Sequence, residues 1–415
     1  MIDTNIVIIN NSEHQALFQE INQSNKQVLN RESKKNFKWW VQYLFFMLIS
    51  KNKNNFHGKI NVKDLKRILL YRNDGIGDYI LSNPIISLIK SQNPEVKFDV
   101  ITSERNDSFV KKDTNIDKTF ILTNNNKSEH KSLYKLINLN NYDFIFVLNS
   151  GKTTAAAILL RNIQTGVKVI PYHHSRYKIY NQVFDFQVQI SNEFTHWMKK
   201  MIEFPLQTVN FLQEVEPNKF PPYIFFPVIE IEPAKQLILK YNLKYILKKH
   251  SIEFNSVKIL ENCGQREYFI YNISAFTIDR NLPISKNISF LKILSENFAQ
   301  DEIFVSGSPD DYYKIDEIVS SFPEKNVKAF KSGLFGLVAF ICGAKGIISP
   351  DTATVHIAAA AKVPVLGFYQ EFAKLFMWYP FDTDFVLIAN KRSLDLNYLN
   401  DEIFTEALNK FKAIL

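Results

Sequence analysis

The chain has 415 residues, 46% of them apolar and 22% charged, a balance that excludes a disordered or membrane-spanning polypeptide and leaves room for two cores of ordinary domain size. A formal charge of +8 with a pI near 9.0 favours an anionic partner, whether nucleic acid, anionic lipid or a phosphorylated substrate, without choosing among them. Cys263 and Cys342 lie far apart and outside any C-x-x-C or Cys/His spacing, so neither a disulfide framework nor a zinc site is expected and the compartment reads as reducing, the cytoplasm.

In chain order, residues 1–66 are rich in Asn and Lys, show neither a secretory-signal pattern nor a strand-turn-helix rhythm, and read as an extension ahead of the first domain. Within them "KKNFKWWVQYLFFMLISKNK" (34–53) holds an apolar run from Trp39 to Ile49 broken only by Gln42, well short of the roughly 20 residues that span a bilayer. Lysines at both ends and the aromatic content suit a helix lying in a membrane interface, on the inner face of the cytoplasmic membrane; a helix packed on the protein body is the alternative.

The rhythm begins near residue 67. "LKRILLYR" reads as a buried strand, "YILSNPIISLIKSQNP" as a helix, "KFDVITS", "KTFIL" and "YDFIFVLNS" as strands and "GKTTAAAILLRN" as a helix. The Pro- and aromatic-rich stretch 220–233 breaks it as a linker. It resumes with the strands "EYFIYNIS", "EIFVSGS", "KGIISP" and "VPVLGFY", separated by helices that include "DTATVHIAAAAK". Alternation of this kind implies parallel sheets covered on both faces. The expectation is an α/β protein with two facing Rossmann-like domains at 67–228 and 229–390 and a C-terminal helix at 391–415, ligands binding at the carboxyl ends of the strands.

Two corners carry chemistry. In "YRNDGIGDYILSNP" (71–84), Gly75 and Gly77 let backbone approach a ligand or take positive φ where a strand meets a helix N-terminus. A dinucleotide fingerprint fails, because position 80 is Ile80 and the acidic residues sit inside the turn. Asp78 is placed for proton work or for holding a sugar hydroxyl, and equally for capping the helix; Asp74 has no role beyond the turn. In "IISPDTATVHIAAAAKVPVLGFY" (347–369), Asp351 and Thr352 stand between a buried strand and a small-residue helix, with His356 one turn on. A nucleotide diphosphate can rest on such a helix N-terminus; Asp351 as a cap and His356 as a packing residue is the alternative.

Together, "LLYRNDGIGDYILSNPIISLIKSQNP" and "GAKGIISPDTATVHIAAAAKVPVLGFY" resemble glycosyltransferase family 9, the lipopolysaccharide heptosyltransferases, whose members show R-x-x-x-x-G-D-x-x-x-x-x-P early and D-T-G-x-x-H-x-A-A-x-x-x-P late. The resemblance covers about residues 67–390 and implies a GT-B fold, inversion at the anomeric carbon, no metal and no cofactor, and a nucleotide-diphosphate sugar donor, by default ADP-heptose. It implies Asp78 as general base and Asp351, Thr352, Ala353 and His356 as donor-binding residues. Arg280 in "NISAFTIDRNLP" would neutralise phosphate, with Ser274, Thr277 and Gly307 as further donor-side candidates. Ala353 departs from the family's glycine, Leu282 from its aromatic residue, and the extension and the insertion "YILKKHSIEFNSVKILENCGQRE" are also atypical.

Beside Gly75 and Gly77, the acceptor side takes in His173 and Arg176 of "PYHHSRYK", suited to an anionic sugar or to a plain surface loop. The D-x-D of "FDTDF" at Asp382 and Asp384 reads as a solvated loop rather than a metal motif, and "SGKTT" lacks the upstream glycine of a P-loop. The expected function is transfer of a sugar to a lipid-linked or phosphorylated glycan such as a lipopolysaccharide core; the alternative is a non-catalytic nucleotide- or glycan-binding protein of the same fold, tethered at the membrane. No nucleic-acid recognition module is present in the pattern.

Overall fold

The computed structural model describes residues 6–25, 37–49, 56–123, 127–149, 154–172, 177–190, 196–225, 232–245, 264–323, 326–372, 374–392 and 395–415. His173, Arg176, Cys263, the start of "SGKTT" and most of the 245–267 insertion lie outside them. The chain divides into two compact units, one of Ser24–Phe220 and one of Met1–Gln23 with Pro221–Leu415. It opens with strand β1 (Ile6–Asn10) and helix α1 (Asn11–Asn25), followed by helix α2 (Phe37–Ile49).

In the N-terminal unit, a two-stranded pair of β2 (Ile60–Asn61) and β9 (Val209–Asn210) accompanies a six-stranded sheet of β3 (Arg67–Tyr71), β4 (Lys97–Thr102), β5 (Lys118–Ile121), β6 (Phe144–Val147), β7 (Val167–Pro171) and β8 (Phe186–Val188). Its order is β5-β4-β3-β6-β7-β8, parallel throughout. Ile68 to Leu70 are wholly buried, as continuous apolar runs must be when helices cover both faces. The stretch expected to form one helix forms two, α3 (Ile76–Ser82) and α4 (Pro84–Gln92). Pro84 has no N–H to continue α3 but suits the first turn of a new helix, so the chain breaks at Asn83.

The C-terminal unit has a seven-stranded sheet. Its parallel part is β10 (Tyr268–Asn272), β11 (Glu302–Ser306), β12 (Val327–Ala329), β13 (Gly346–Pro350), β14 (Val365–Tyr369) and β15 (Phe385–Asn390), ordered β12-β11-β10-β13-β14-β15. Both parallel sheets therefore reverse direction between their first and fourth strands, β3/β6 and β10/β13, and the carboxyl ends beside that reversal are where such sheets bind ligands.

The expectation that residues 1–66 are an extension ahead of the first domain is corrected here. Strand β1 pairs antiparallel with β15, from Ile6 opposite Asn390 to Asn10 opposite Val386, and completes the edge of the C-terminal sheet. Helix α1 is fastened to the same unit: the buried His14 ring is 2.8 Å from the Leu375 carbonyl and lies among Phe376, Tyr379 and Phe385, and Lys410 pairs with Glu13 at 2.7 Å. The boundary between units falls at 220/221, ahead of the expected 228/229. The last helix, Asp401–Lys412, packs on the C-terminal core through Ile403, Phe404, Ala407, Leu408 and Phe411.

Candidate functional site

In the N-terminal unit the chemistry gathers where β3 runs into α3. Arg72, the first residue after β3, is wholly buried. Its backbone N–H donates to Ile101 O and its Nη1 to Leu148 O, which ties the ends of β3, β4 and β6 together. Nε and Nη2 donate to the Asp78 carbonyl at 2.9 and 2.5 Å. The same guanidinium lies 3.1 Å from Asp74 Oδ2 and 3.5 Å from Asp78 Oδ1. One buried cation thus holds two carboxylates.

Asp78 sits in the first turn of α3, where its Oδ2 accepts from the Gly75 N–H at 3.0 Å, and 23% of its side chain stays exposed. Gly75 has φ −91° and ψ 170°, so the positive φ allowed for at this turn is not used. Its missing side chain serves another need: a Cβ there would stand 3.0 Å from Asp78 Oδ2. Gly77 is buried inside α3 and is likewise not in the left-handed region. Asp74, given only a turn role from sequence, is pushed up to about 7 by burial and by the Asp78 charge, against the pull of Arg72. Its Oδ1 is buried with no hydrogen-bond partner among the described residues.

In the C-terminal unit the candidates lie on the strands beside the β10/β13 reversal. Asp351 follows β13, and Thr352 occupies the N-cap of the helix Ala353–Ala360 with φ −153° and ψ 177°. Its side chain makes no capping bond, although its carbonyl accepts from the Val355 N–H at 3.1 Å, so no Thr352 hydroxyl occupies the helix N-terminus. Ala353 takes ordinary helical geometry, so its methyl replaces the family's glycine without backbone strain. His356 is buried, with its ring centroid 6.4 Å from that of Trp378.

Arg280, at the end of the β10–helix loop, brings Nη1 to 3.8 Å from Asp351 Oδ2, and its Nε is buried without a hydrogen-bond partner among the described residues. A second cation stands on the same carboxylate: Lys374 Nζ lies 3.4 Å from Asp351 Oδ2 and 3.2 Å from Glu371. One carboxylate thus holds two cations. Lys374 escaped the sequence reading, whose second corner stopped at Tyr369, although a lysine five residues beyond a strand's carboxyl end was a usable signal. Arg72, the first residue of the R-x-x-x-x-G-D pattern, was given no role from sequence, although a charged residue directly after a buried strand and ahead of two aspartates was a signal.

Ser274 and Gly307 meet each other just beyond the carboxyl ends of β10 and β11. Ser274 Oγ donates to Asp311 at 2.5 Å and accepts from the Ser308 N–H at 2.9 Å, and a Cβ on Gly307 would lie 2.5 Å from that Oγ. Both therefore shape the β11 loop. Thr277 stands at the N-cap position of the short turn that leads to Arg280 without a side-chain capping bond, and its carbonyl accepts from the Arg280 N–H at 3.0 Å. Asp382 of the D-x-D has φ 62° and pairs with Lys362, a turn at the surface. Among the described residues no group of three or more His, Cys, Asp or Glu is arranged to hold a metal ion.

Residues 131–392, more than half of the chain, match the model of glycosyltransferase family 9 (heptosyltransferase). The chain belongs to glycosyltransferase family 9. It is 22% identical over 321 residues to lipopolysaccharide heptosyltransferase 3 of Escherichia coli K12, covering 75% of this chain and 84% of that protein. Among solved structures it resembles the family 9 glycosyl transferase of Veillonella parvula with a TM-score of 0.65 at 13% identity, covering 85% of this chain and 99% of that one. It also resembles the Escherichia coli heptosyltransferase WaaC with ADP, with a TM-score of 0.59 at 16% identity, covering 84% and 99%. The fold is accordingly GT-B, and this family 9 chain is a glycosyltransferase. The family match begins after the Asp78 corner, whose assignment rests on its own geometry.

Proposed function

We propose that this family 9 enzyme inverts the anomeric centre of a nucleotide-diphosphate sugar, by default ADP-heptose, as it moves the sugar to a lipopolysaccharide core or a related lipid-linked or phosphorylated glycan at the inner face of the cytoplasmic membrane. Two WaaC structures supply the default, one holding ADP and one holding ADP-2-deoxy-2-fluoro heptose. The observation that carries the reading is the Arg280–Asp351–Lys374 group beside the N-terminus of Ala353–Ala360: two cations and a helix N-terminus in one place suit a diphosphate.

In this reading Asp78 takes the proton from the acceptor hydroxyl, whose oxygen forms a bond to the anomeric carbon while the bond from that carbon to the diphosphate oxygen breaks. The electron pair leaves with the nucleoside diphosphate, and Arg280, Lys374 and the helix N-terminus meet its charge without a metal. Thr352 supplies a hydroxyl to the donor, and Ala353 and His356 border it. Asp351, itself an anion, keeps its cations in place and is suited to a sugar hydroxyl rather than to phosphate.

Asp78→Asn tests the assignment, because the amide still accepts from the Gly75 N–H but cannot take a proton. Loss of a general base lowers kcat by about 10²–10⁴-fold. Release of ADP from ADP-heptose in the presence of a heptose-accepting lipopolysaccharide core is expected to fall by that factor, with the Kd for ADP unchanged. Transfer within tenfold of wild type would make Asp78 a capping residue only, and wild type that binds no nucleoside diphosphate would overturn the donor assignment.

A further inference from the structure

Helix α2 carries an exposed apolar face. It packs beside the helix Tyr177–Tyr180 and sends Tyr43 against the N-terminal core. Along its other side Trp40, Val41, Leu44, Phe45, Met47 and Leu48 are exposed, Leu48 by 84%. At 3.6 residues per turn these positions form one continuous stripe. A 13-residue helix is about 20 Å long, short of the roughly 30 Å of a hydrocarbon core, and no helix among the described residues is long and apolar enough to cross a membrane.

The charge around this face is lopsided. From Ser33 to Lys63 the sequence holds seven lysines and no acidic residue, a formal +7 against +8 for the whole chain. The remaining residues are almost neutral, so the basic character of the sequence is concentrated in the stretch that contains α2. An apolar, aromatic-rich stripe in a stretch of sequence with a formal charge of +7 fits an anionic lipid surface, with the rings at headgroup depth. A second copy of the chain would meet the same +7 and be repelled.

We propose that α2 is a membrane-docking helix that lays Trp40, Val41, Leu44, Phe45 and Leu48 into the surface of an anionic bilayer. It gives the membrane partner of the proposed function a defined surface and does not depend on the transfer reaction, since lipid binding is measured with neither donor nor acceptor present. Deleting residues 1–60, the obvious test from sequence, would also remove β1 from the C-terminal sheet and confuse lost binding with lost folding. Substitutions on the exposed face avoid this.

The experiment compares full-length wild type, Leu44→Glu/Leu48→Glu and Lys34→Gln/Lys35→Gln/Lys38→Gln in co-sedimentation with vesicles of phosphatidylglycerol and phosphatidylethanolamine, and with vesicles of phosphatidylcholine. Wild type is expected to sediment with the anionic vesicles and to be released by salt. The leucine variant is expected to lose that binding by about tenfold or more with an unchanged unfolding midpoint, and the lysine variant to bind more weakly and with less dependence on salt. Wild type that ignores both vesicles, or a leucine variant that sediments like wild type, would overturn the proposal. So would a wild-type dimer that the leucine variant converts to monomer without any vesicle binding, because a second copy would then cover the face.

Discussion

Lys374→Met gives the most direct reading of the donor side. Lys374 Nζ stands 3.4 Å from Asp351 Oδ2, with the two side chains 15% and 11% exposed. At an effective dielectric constant near 20, unit charges at that separation interact by about 5 kcal/mol before solvation is counted. Desolvation and the competing Glu371 carboxylate take up most of that, and a hydrogen bond to a charged group nets roughly 1.5–3 kcal/mol. If Lys374 transfers its charge from Asp351 to the arriving diphosphate, its loss should raise the Kd for ADP by roughly 10- to 100-fold. Titration calorimetry on Lys374→Met and Arg280→Met, with adenosine as the uncharged control, reads it directly. The same reasoning fixes the behaviour of Asp351→Asn: it removes the anion that competes with phosphate for both cations, so ADP should bind as well as or better than to wild type. Lys374→Met binding ADP within threefold of wild type, or losing adenosine to the same extent as ADP, would refute a phosphate-directed lysine.

Gly307→Ala forces a methyl to within 2.5 Å of Ser274 Oγ and must displace the loop that Ser274 holds. Overpacking of this kind costs about 1–3 kcal/mol, so thermal unfolding of the C-terminal unit should shift down by several degrees, and an unchanged midpoint would show that the loop yields freely. Asp74 supplies the pH test. Its pKa, raised to about 7 from 3.8, means that the native state binds more protons than the unfolded one between about pH 4 and 7, so stability falls as pH rises through that window. Asp74→Asn, which leaves Arg72 its carbonyl partners and Asp78, should therefore raise the unfolding temperature at pH 8 and leave it nearly unchanged at pH 4, as differential scanning calorimetry would show; an equal effect at both would exclude titration of Asp74.

Local pattern made the α/β alternation legible, because buried parallel strands such as β3, β6 and β13 are short apolar runs that end in turn residues. What it could not supply was pairing across distance. "IVIIN" is an apolar run in its own right, yet its partner β15 lies more than 370 residues away, and only the folded sheet shows that the first strand serves the C-terminal unit. The donor corner was read as Asp351, Thr352 and His356, since those residues share one helix start. Lys374 joins them through space, from the far side of β14. The break at Asn83 was written in Pro84, but "YILSNPIISLIKSQ" keeps its apolar spacing across the proline, and periodicity alone ran the two helices together.

The two units solve one electrostatic problem with opposite signs. Each places its charged residues at the carboxyl ends beside a sheet reversal, where backbone N–H groups are exposed and the strands fix the geometry. In the N-terminal unit the central charge is the cation Arg72, wholly buried with its guanidinium bound to the Leu148 and Asp78 carbonyl oxygens, and it holds the carboxylates Asp74 and Asp78. In the C-terminal unit the central charge is the anion Asp351, and it holds the cations Arg280 and Lys374. A carboxylate pair is suited to taking a proton from a hydroxyl, and a cation pair to receiving a diphosphate. In both, a counter-charge orients the working groups before any substrate is present, so less reorganisation is left for the moment of reaction. In the N-terminal unit the same logic makes Arg72 the poorest residue to remove: taking it away would strand two carboxylates around a buried hole, at a cost of about 3–5 kcal/mol, whereas taking away either carboxylate leaves the other in place.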